Sequence, residues 1–142
     1  MSYDAALESA LRALSHRDRS SAQLEQYLAD RGFGEEERRA ALEALARTAV
    51  VDDERYADNR ACALGGRGAG DASIRQDLST AGVTDEEIEH ALAGLEPERQ
   101  RAERIVARRG SSAKTARYLT GKGFSEDVVR SVVAQGVGET LG

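Results

Sequence analysis

An internal repeat constrains this chain more than any other feature. Leu28–Ala29–Asp30–Arg31–Gly32–Phe33, Leu78–Ser79–Thr80–Ala81–Gly82–Val83 and Leu119–Thr120–Gly121–Lys122–Gly123–Phe124 share one pattern: a leucine, three variable residues, a glycine and a large apolar residue. An acidic run follows each copy, as Glu35–Glu36–Glu37, Asp85–Glu86–Glu87 and Glu126–Asp127, and the copies lie 50 and then 41 residues apart. Leu24, Leu28, Leu42 and Leu45 recur as Ile74, Leu78, Leu92 and Leu95. A chain that repeats a short unit stacks neighbours into an extended surface instead of closing around one pocket, which favours binding over catalysis.

Apolar positions three or four residues apart, as in Leu7, Leu11, Leu14 and Leu24, Tyr27, Leu28, have the period of a helix and not of a strand. The spacing predicts three helices per repeat: first helices over 4–17, 53–64 and 98–108, second helices over 22–31, 72–81 and 113–122, third helices over 35–48, 85–94 and 126–135. Gly32, Gly82 and Gly123 stand where a helix ends at positive φ, which glycine adopts without a Cβ clash. Two residues later come N-cap positions Gly34, Thr84 and Ser125. Thr84-x-x-Glu87 and Ser20-x-x-Gln23 fit capping boxes, while Val83 with Ile88 and Phe124 with Val129 have the spacing of hydrophobic staples. Asp52 is placed to cap the fourth helix, with Val51 set to meet Tyr56, and the Asp52–Asp53 pair is accounted for by capping. The expected fold is all-α: three tandem three-helix repeats (1–49, 50–95 and 96–138) forming an elongated, curved array, with a short tail at 139–142.

A repeat of 40–50 residues is marginal by itself, so the units should depend on their neighbours. The two Phe, four Tyr and absence of Trp suit close packing of Ala- and Leu-rich helices, with Phe33 and Phe124 in the core. No run of 18 apolar residues and no apolar leader is present, so a soluble, cytoplasmic protein without a membrane partner is expected. Cys62 stands alone, and His16 and His90 lack ligand spacing, so neither a disulfide nor a metal site is expected. Gly65–Gly66–Arg67–Gly68–Ala69–Gly70 lacks the G-K-[ST] ending and the preceding strand of a phosphate loop and reads as a flexible linker. No nucleophile, base and oxyanion donor can be grouped, so no enzyme and no cofactor are expected.

Charge is uneven. Residues 1–49 carry 7 basic and 9 acidic side chains (net −2), residues 50–95 carry 4 and 10 (net −6), and residues 96–142 carry 9 and 6 (net +3). Between residues 99 and 122, Arg99, Arg101, Arg104, Arg108, Arg109, Lys114, Arg117 and Lys122 face a single acid, Glu103. Arg101, Arg104 and Arg108 form one helical stripe. Such a run is either a solvated face or a contact for phosphates or an acidic protein. The acidic middle repeat would repel a duplex, so a partner of mixed charge, itself bound to DNA, suits both halves better.

Three motifs in order resemble the RecX regulators of the RecA recombinase. Val51–Asp52–Asp53–Glu54–Arg55–Tyr56–Ala57 is similar to the family's central D-D-x-x-[FY]-A signature. Tyr118–Leu119-x-x-Lys122–Gly123–Phe124-x-x-Asp127–Val128–Val129 resembles its closing motif, and Ala13–Leu14-x-x-Arg17-x-x-Ser20-x-x-Gln23–Leu24-x-x-Tyr27–Leu28 its opening one. The resemblance covers about residues 5–135. It implies a curved array of three three-helix repeats lying in the groove of the RecA–DNA filament, touching more than one protomer. It further implies that such a protein, acting as a monomer, restrains filament extension, ATP turnover, strand exchange and coprotease action in DNA repair, recombination and the SOS response. The middle repeat, over 70–81, is less basic than the family pattern.

Residue roles follow. Asp52, Asp53 and Tyr56 belong to the junction between repeats, and Gly32, Gly82, Gly123 and Phe124 to the structural signature. Arg101, Arg104, Arg108, Lys114, Arg117 and Lys122 are the first choice for a filament or DNA contact, with Arg55, Arg60, Arg67 and Arg75 as cations of the middle repeat that could pair with a RecA protomer. Two alternatives stay open: a helical adaptor for another protein, and an autonomous helix–turn–helix DNA-binding regulator.

Overall fold

The computed structural model describes residues 2–141, and side chains over 2–134. Among the described residues there are nine α-helices and no strand: α1 Tyr3–His16, α2 Ser21–Asp30, α3 Glu35–Arg47, α4 Asp53–Gly66, α5 Asp71–Thr80, α6 Asp85–Ala93, α7 Glu98–Arg109, α8 Ala113–Gly121 and α9 Glu126–Leu141. The all-α expectation holds, and most ends fall within a residue or two of those read from the sequence. Two differ. The fourth helix runs on through Gly65 and Gly66, and α9 continues to Leu141, through residues assigned to a tail; Gly142 lies outside the described residues.

Each set of three helices encloses its own core. The first is built on Leu24, Leu28, Phe33 and Leu45, the middle on Ile74, Leu78, Val83 and Ile88, the third on Ile105, Leu119, Phe124 and Val129. The first helix of every set turns small residues inward: Ala6, Ala10 and Ala13, then Ala57 and Ala61, then Ala102. Small side chains let the third helix approach closely, and α1 with α3, α4 with α6 and α7 with α9 are the most intimate pairs. The second helix supplies the large, fully buried residues Leu24, Leu28, Ile74, Leu78 and Leu119. Extensive helix packing occurs only inside a set, so the sets stand in a row.

The glycine turns behave as their pattern predicts. Gly32, Gly82 and Gly123 have φ of 88°, 84° and 96°. The next residue's N–H donates back to the buried leucine's carbonyl: Phe33 to Leu28 at 3.2 Å, Val83 to Leu78 at 3.4 Å and Phe124 to Leu119 at 3.1 Å. This closure satisfies helix-end carbonyls and drives the following apolar residue into the core. Both capping boxes form, and Asp52 caps α4 through Arg55 N–H at 3.1 Å. The expected Val51–Tyr56 staple does not: Val51 packs in the first core and Tyr56 in the middle one, one residue on either side of the junction.

One junction is built twice. The start of α2 docks on the α5–α6 turn, where Ser20 Oγ donates to Ala81 O at 2.6 Å, while Ser21 N–H and Oγ donate to Asp53 at 2.7 and 2.6 Å. The start of α5 docks in the same way on the α8–α9 turn. Gly70 N–H donates to Lys122 O at 2.8 Å, Ala72 N–H to Gly123 O at 3.1 Å and Asp71 N–H to Glu98 at 2.7 Å. Asp53 and Glu98 are each the first residue of their helix, so one acid position per junction satisfies an orphan helix-start N–H of the preceding repeat. Asp53 is therefore an inter-repeat acceptor and not a second cap. The turn glycines permit the approach, since a Cβ on Gly82 would lie 2.5 Å from Ala22 Cβ, and one on Gly123 would lie 2.7 Å from Ser73 N and collide with Ser73 Oγ.

Arg101 locks the second junction, and this alters its expected role. Its side chain is only 10% exposed. It donates to Ala69 O at 2.7 Å and Glu96 O at 2.9 Å, pairs with Asp71, and lies 5.9 Å from the centre of the Phe124 ring. A guanidinium held by two carbonyls and a carboxylate is part of the fold and is not available to a partner. The glycine loop expected to be flexible is held at the same place: Gly70 N–H is bonded and its Cα abuts the Gly123–Phe124 backbone.

Arg101→Ala would leave Asp71 and a buried carbonyl unpaired and is expected to lower unfolding free energy by about 3 kcal/mol in urea denaturation. Gly123→Ala should cost at least about 2 kcal/mol, from positive φ and the clash with Ser73. Gly66→Ala, with nothing within 4 Å of the new Cβ and a helical backbone, should instead stabilise by about 0.5 kcal/mol.

Candidate functional site

The cations singled out by the sequence divide into those held inside the protein and those left open. Arg60 forms a two-bond fork with Asp77, both at 2.9 Å, and Arg75 one with Glu89 at 2.8 and 3.2 Å. These hydrogen bonds raise both guanidinium pKa values and hold the Glu89 carboxyl below its ordinary range. Arg55 donates to the carbonyls of Ala49 and Val50 at 3.1 Å each, which ties α4 to the end of the first repeat. Arg104 pairs with Glu96 at 3.0 Å. Arg101 is occupied by the junction. The middle repeat thus satisfies three of its four cations internally, with Arg67 the exception among the described residues.

Arg67, Arg108, Lys114, Arg117 and Lys122 have no carboxylate partner among the described residues. Lys114 and Arg117 lie three residues apart on α8, which puts both exposed side chains on one helix face. Arg67 follows the end of α4, and Arg108 and Arg109 end α7, where cations complement the helix dipole. These last three line one cleft of about 380 Å³ with Gly66, Gly68, Ile105 and Tyr118.

Two features escaped the sequence reading. Arg109 lies flat on Tyr118, its Cζ 3.6 Å from the ring centre, while Arg19 and Arg31 approach Tyr27 at 5.0 and 4.4 Å. Tyr27 and Tyr118 each precede the buried leucine of their repeat, and Asp77 takes that place in the middle one, a correspondence the aligned repeats could have exposed. Glu54 and Asp58 on α4 also meet His90 on α6, with carboxylate oxygens 3.6 and 3.4 Å from its two nitrogens. The three could each offer a metal one ligand atom, but both imidazole nitrogens face carboxylates, the arrangement of an ion pair when His90 is protonated.

No described helix is long and apolar enough to cross a membrane. Residues 6–45 match the family model described as RecX, first three-helix domain. The regulatory protein RecX of Chromohalobacter salexigens is 35% identical over 89% of this chain and 90% of its own length. The RecX of Halorhodospira halophila is 31% identical over 92% and 88%. A crystal structure of RecX from Lactobacillus salivarius superposes with a TM-score of 0.79 at 21% identity, covering 94% of this chain and 95% of that one. A second RecX crystal structure gives 0.76 at 23% identity, over 92% and 70%. With the fold shared across its length and curated relatives above 30% identity over most of both chains, the chain belongs to the RecX family of regulatory proteins.

Proposed function

We propose that this chain binds the RecA–DNA filament and restrains RecA, without catalysis of its own, in the cytoplasm and as a monomer. A ligand that contacts one filament state better than another shifts the filament toward it, and differential contact suffices. An array with patches on successive repeats can engage several protomers at once, so individually weak contacts add through effective concentration.

The observation that carries this reading is the unpaired cationic face of α8, where Lys114 and Arg117 point outward from the one net-basic repeat. It narrows the contact expected from the sequence, since Arg55, Arg60, Arg75, Arg101 and Arg104 have partners within the chain. A contact with the filament's DNA through the third repeat belongs to the same proposal. The ends of the row support the monomer. Tyr3 stands at the helix-start position occupied by Asp53 and Glu98, and Lys114 at the position of Ala22 and Ala72, so neither end reproduces the junction.

The test is single-stranded-DNA-dependent ATP hydrolysis by the cognate RecA, titrated with this protein and with Lys114→Glu/Arg117→Glu. The wild type should depress hydrolysis below one molecule per RecA. The double reversal should raise the half-inhibitory concentration about tenfold, as expected for two weak ion pairs lost and turned repulsive. Unchanged hydrolysis at several-fold excess of the wild type would refute the RecA reading.

A further inference from the structure

The cleft between the second and third repeats gathers more cations than the two helix ends that supply them need, and no acid to balance them. Arg67, Arg108 and Arg109 line it, and Lys122 stands at its edge, its Cε 3.9 Å from where a Cβ on Gly68 would lie. No carboxylate lines this cleft, and none of the four cations has a carboxylate partner among the described residues. Glu96 lines the adjoining recess and is engaged by Arg104 at 3.0 Å. Five other arginines of these two repeats are matched to acids, Arg60 to Asp77, Arg75 to Glu89, Arg99 to Glu103, Arg101 to Asp71 and Arg130 to Glu126, while Arg55 is held by carbonyls and Arg117 stands on the α8 face. In a chain of net charge −5, grouped cations lacking an acid mark a place where an external anion would be stabilised.

The cleft is also shaped and stiffened. Gly68, at φ +90°, brings backbone close to the Tyr118 hydroxyl, which lies 3.9 Å from the same Cβ position. Stacking on Tyr118 holds one face of the Arg109 guanidinium and leaves its N–H edge free, the edge that matches phosphate oxygens in pairs. On its other side the cleft shares Gly66, Gly68, Ile105 and Arg108 with a recess of about 640 Å³ that includes Leu95. A recess with apolar wall at one end and cations at the other has the layout of a site for a ligand with a flat, weakly polar body and an anionic end.

We propose that this cleft binds a nucleotide, its phosphates among Arg67, Arg108 and Arg109 and its nucleoside along Ile105 and Leu95. The grounds differ from those of a phosphate loop: the cations come from two helix ends brought together by the Arg101 junction, and the glycines supply only room. The phosphate belongs either to a free nucleotide or to a nucleotide of a single strand. The second source deepens the DNA contact proposed above and rests on that reading for its setting. The α8 face of Lys114 and Arg117 is not part of the site.

The test uses the full chain without RecA. Binding of mant-ADP and of fluorescein-labelled oligo(dT) is followed by anisotropy for the wild type, for Arg67→Glu/Arg108→Glu, and for a charge-matched control, Arg39→Glu/Arg47→Glu on α3. Circular dichroism should show the cleft variant folded, since neither side chain has an internal partner. At least one probe should bind the wild type, at least about tenfold more weakly to the cleft variant and nearly unchanged to the control. Tight mant-ADP binding identifies the free nucleotide. Oligo(dT) binding whose salt slope falls by about two in the cleft variant identifies the strand. The proposal is overturned if neither probe binds at low salt, if both double reversals weaken binding equally, or if poly-glutamate displaces the probe as well as unlabelled ADP or oligo(dT) does. Retained inhibition of RecA by the cleft variant would show that this site and the filament contact fail or stand separately.

Discussion

The docking of a helix start onto the glycine turn of the next repeat is the interaction on which the rest of this structure depends. Each repeat has a small core, lined on one side by alanine, and the three cores are separate. What joins them is mainly polar: helix-start N–H groups and a serine hydroxyl meeting turn carbonyls and one first-turn acid. Such groups are costly to bury unpaired, so a repeat that loses its neighbour exposes unsatisfied backbone along with apolar edges. This gives a physical reason for three marginal units to behave as one array.

The two junctions are equivalent without being identical. At the first, the Ser20 hydroxyl reaches the turn carbonyl that the Gly70 amide reaches at the second. The second adds Arg101, whose guanidinium gathers Ala69, Asp71 and Glu96. That addition draws the end of α4 toward α7 and gathers Arg67, Arg108 and Arg109 at one cleft. An arginine serving the fold thus creates the setting in which other arginines remain available.

Charge in this protein is best understood by pairing. The third repeat is net basic, but Arg99, Arg101, Arg104 and Arg130 all face acids of the chain. The unpaired cations of the third repeat are therefore fewer and more localised than the run suggests, gathered on one face of α8 and at the cleft beside it. Exposed pairs such as Arg75–Glu89 contribute little stability singly, but they neutralise the middle repeat's cations and leave its surplus acids outward.

The sequence by itself determined what is local or periodic: nine helices, the capping boxes at Ser20 and Thr84, the positive-φ glycine turns and the aligned leucines. These depend on residues within a turn or two of one another, and the periodic recurrence of one pattern made the repeat and the family resemblance legible. Only the tertiary structure decided which cations are open. Arg101 lies 30 residues from Asp71 and 32 from Ala69, and Ser20 lies 61 from Ala81. Nothing in a helical period says which distant carbonyl or carboxylate a side chain will meet. Arg101, Arg104 and Arg108 look alike as one stripe, but packing against the middle repeat buries the first, Glu96 of the same repeat pairs the second, and the third is left at the mouth of a cleft. The glycine loop looked flexible by composition and is held in place because the Gly70 amide meets the turn of another repeat and Arg101 takes the Ala69 carbonyl.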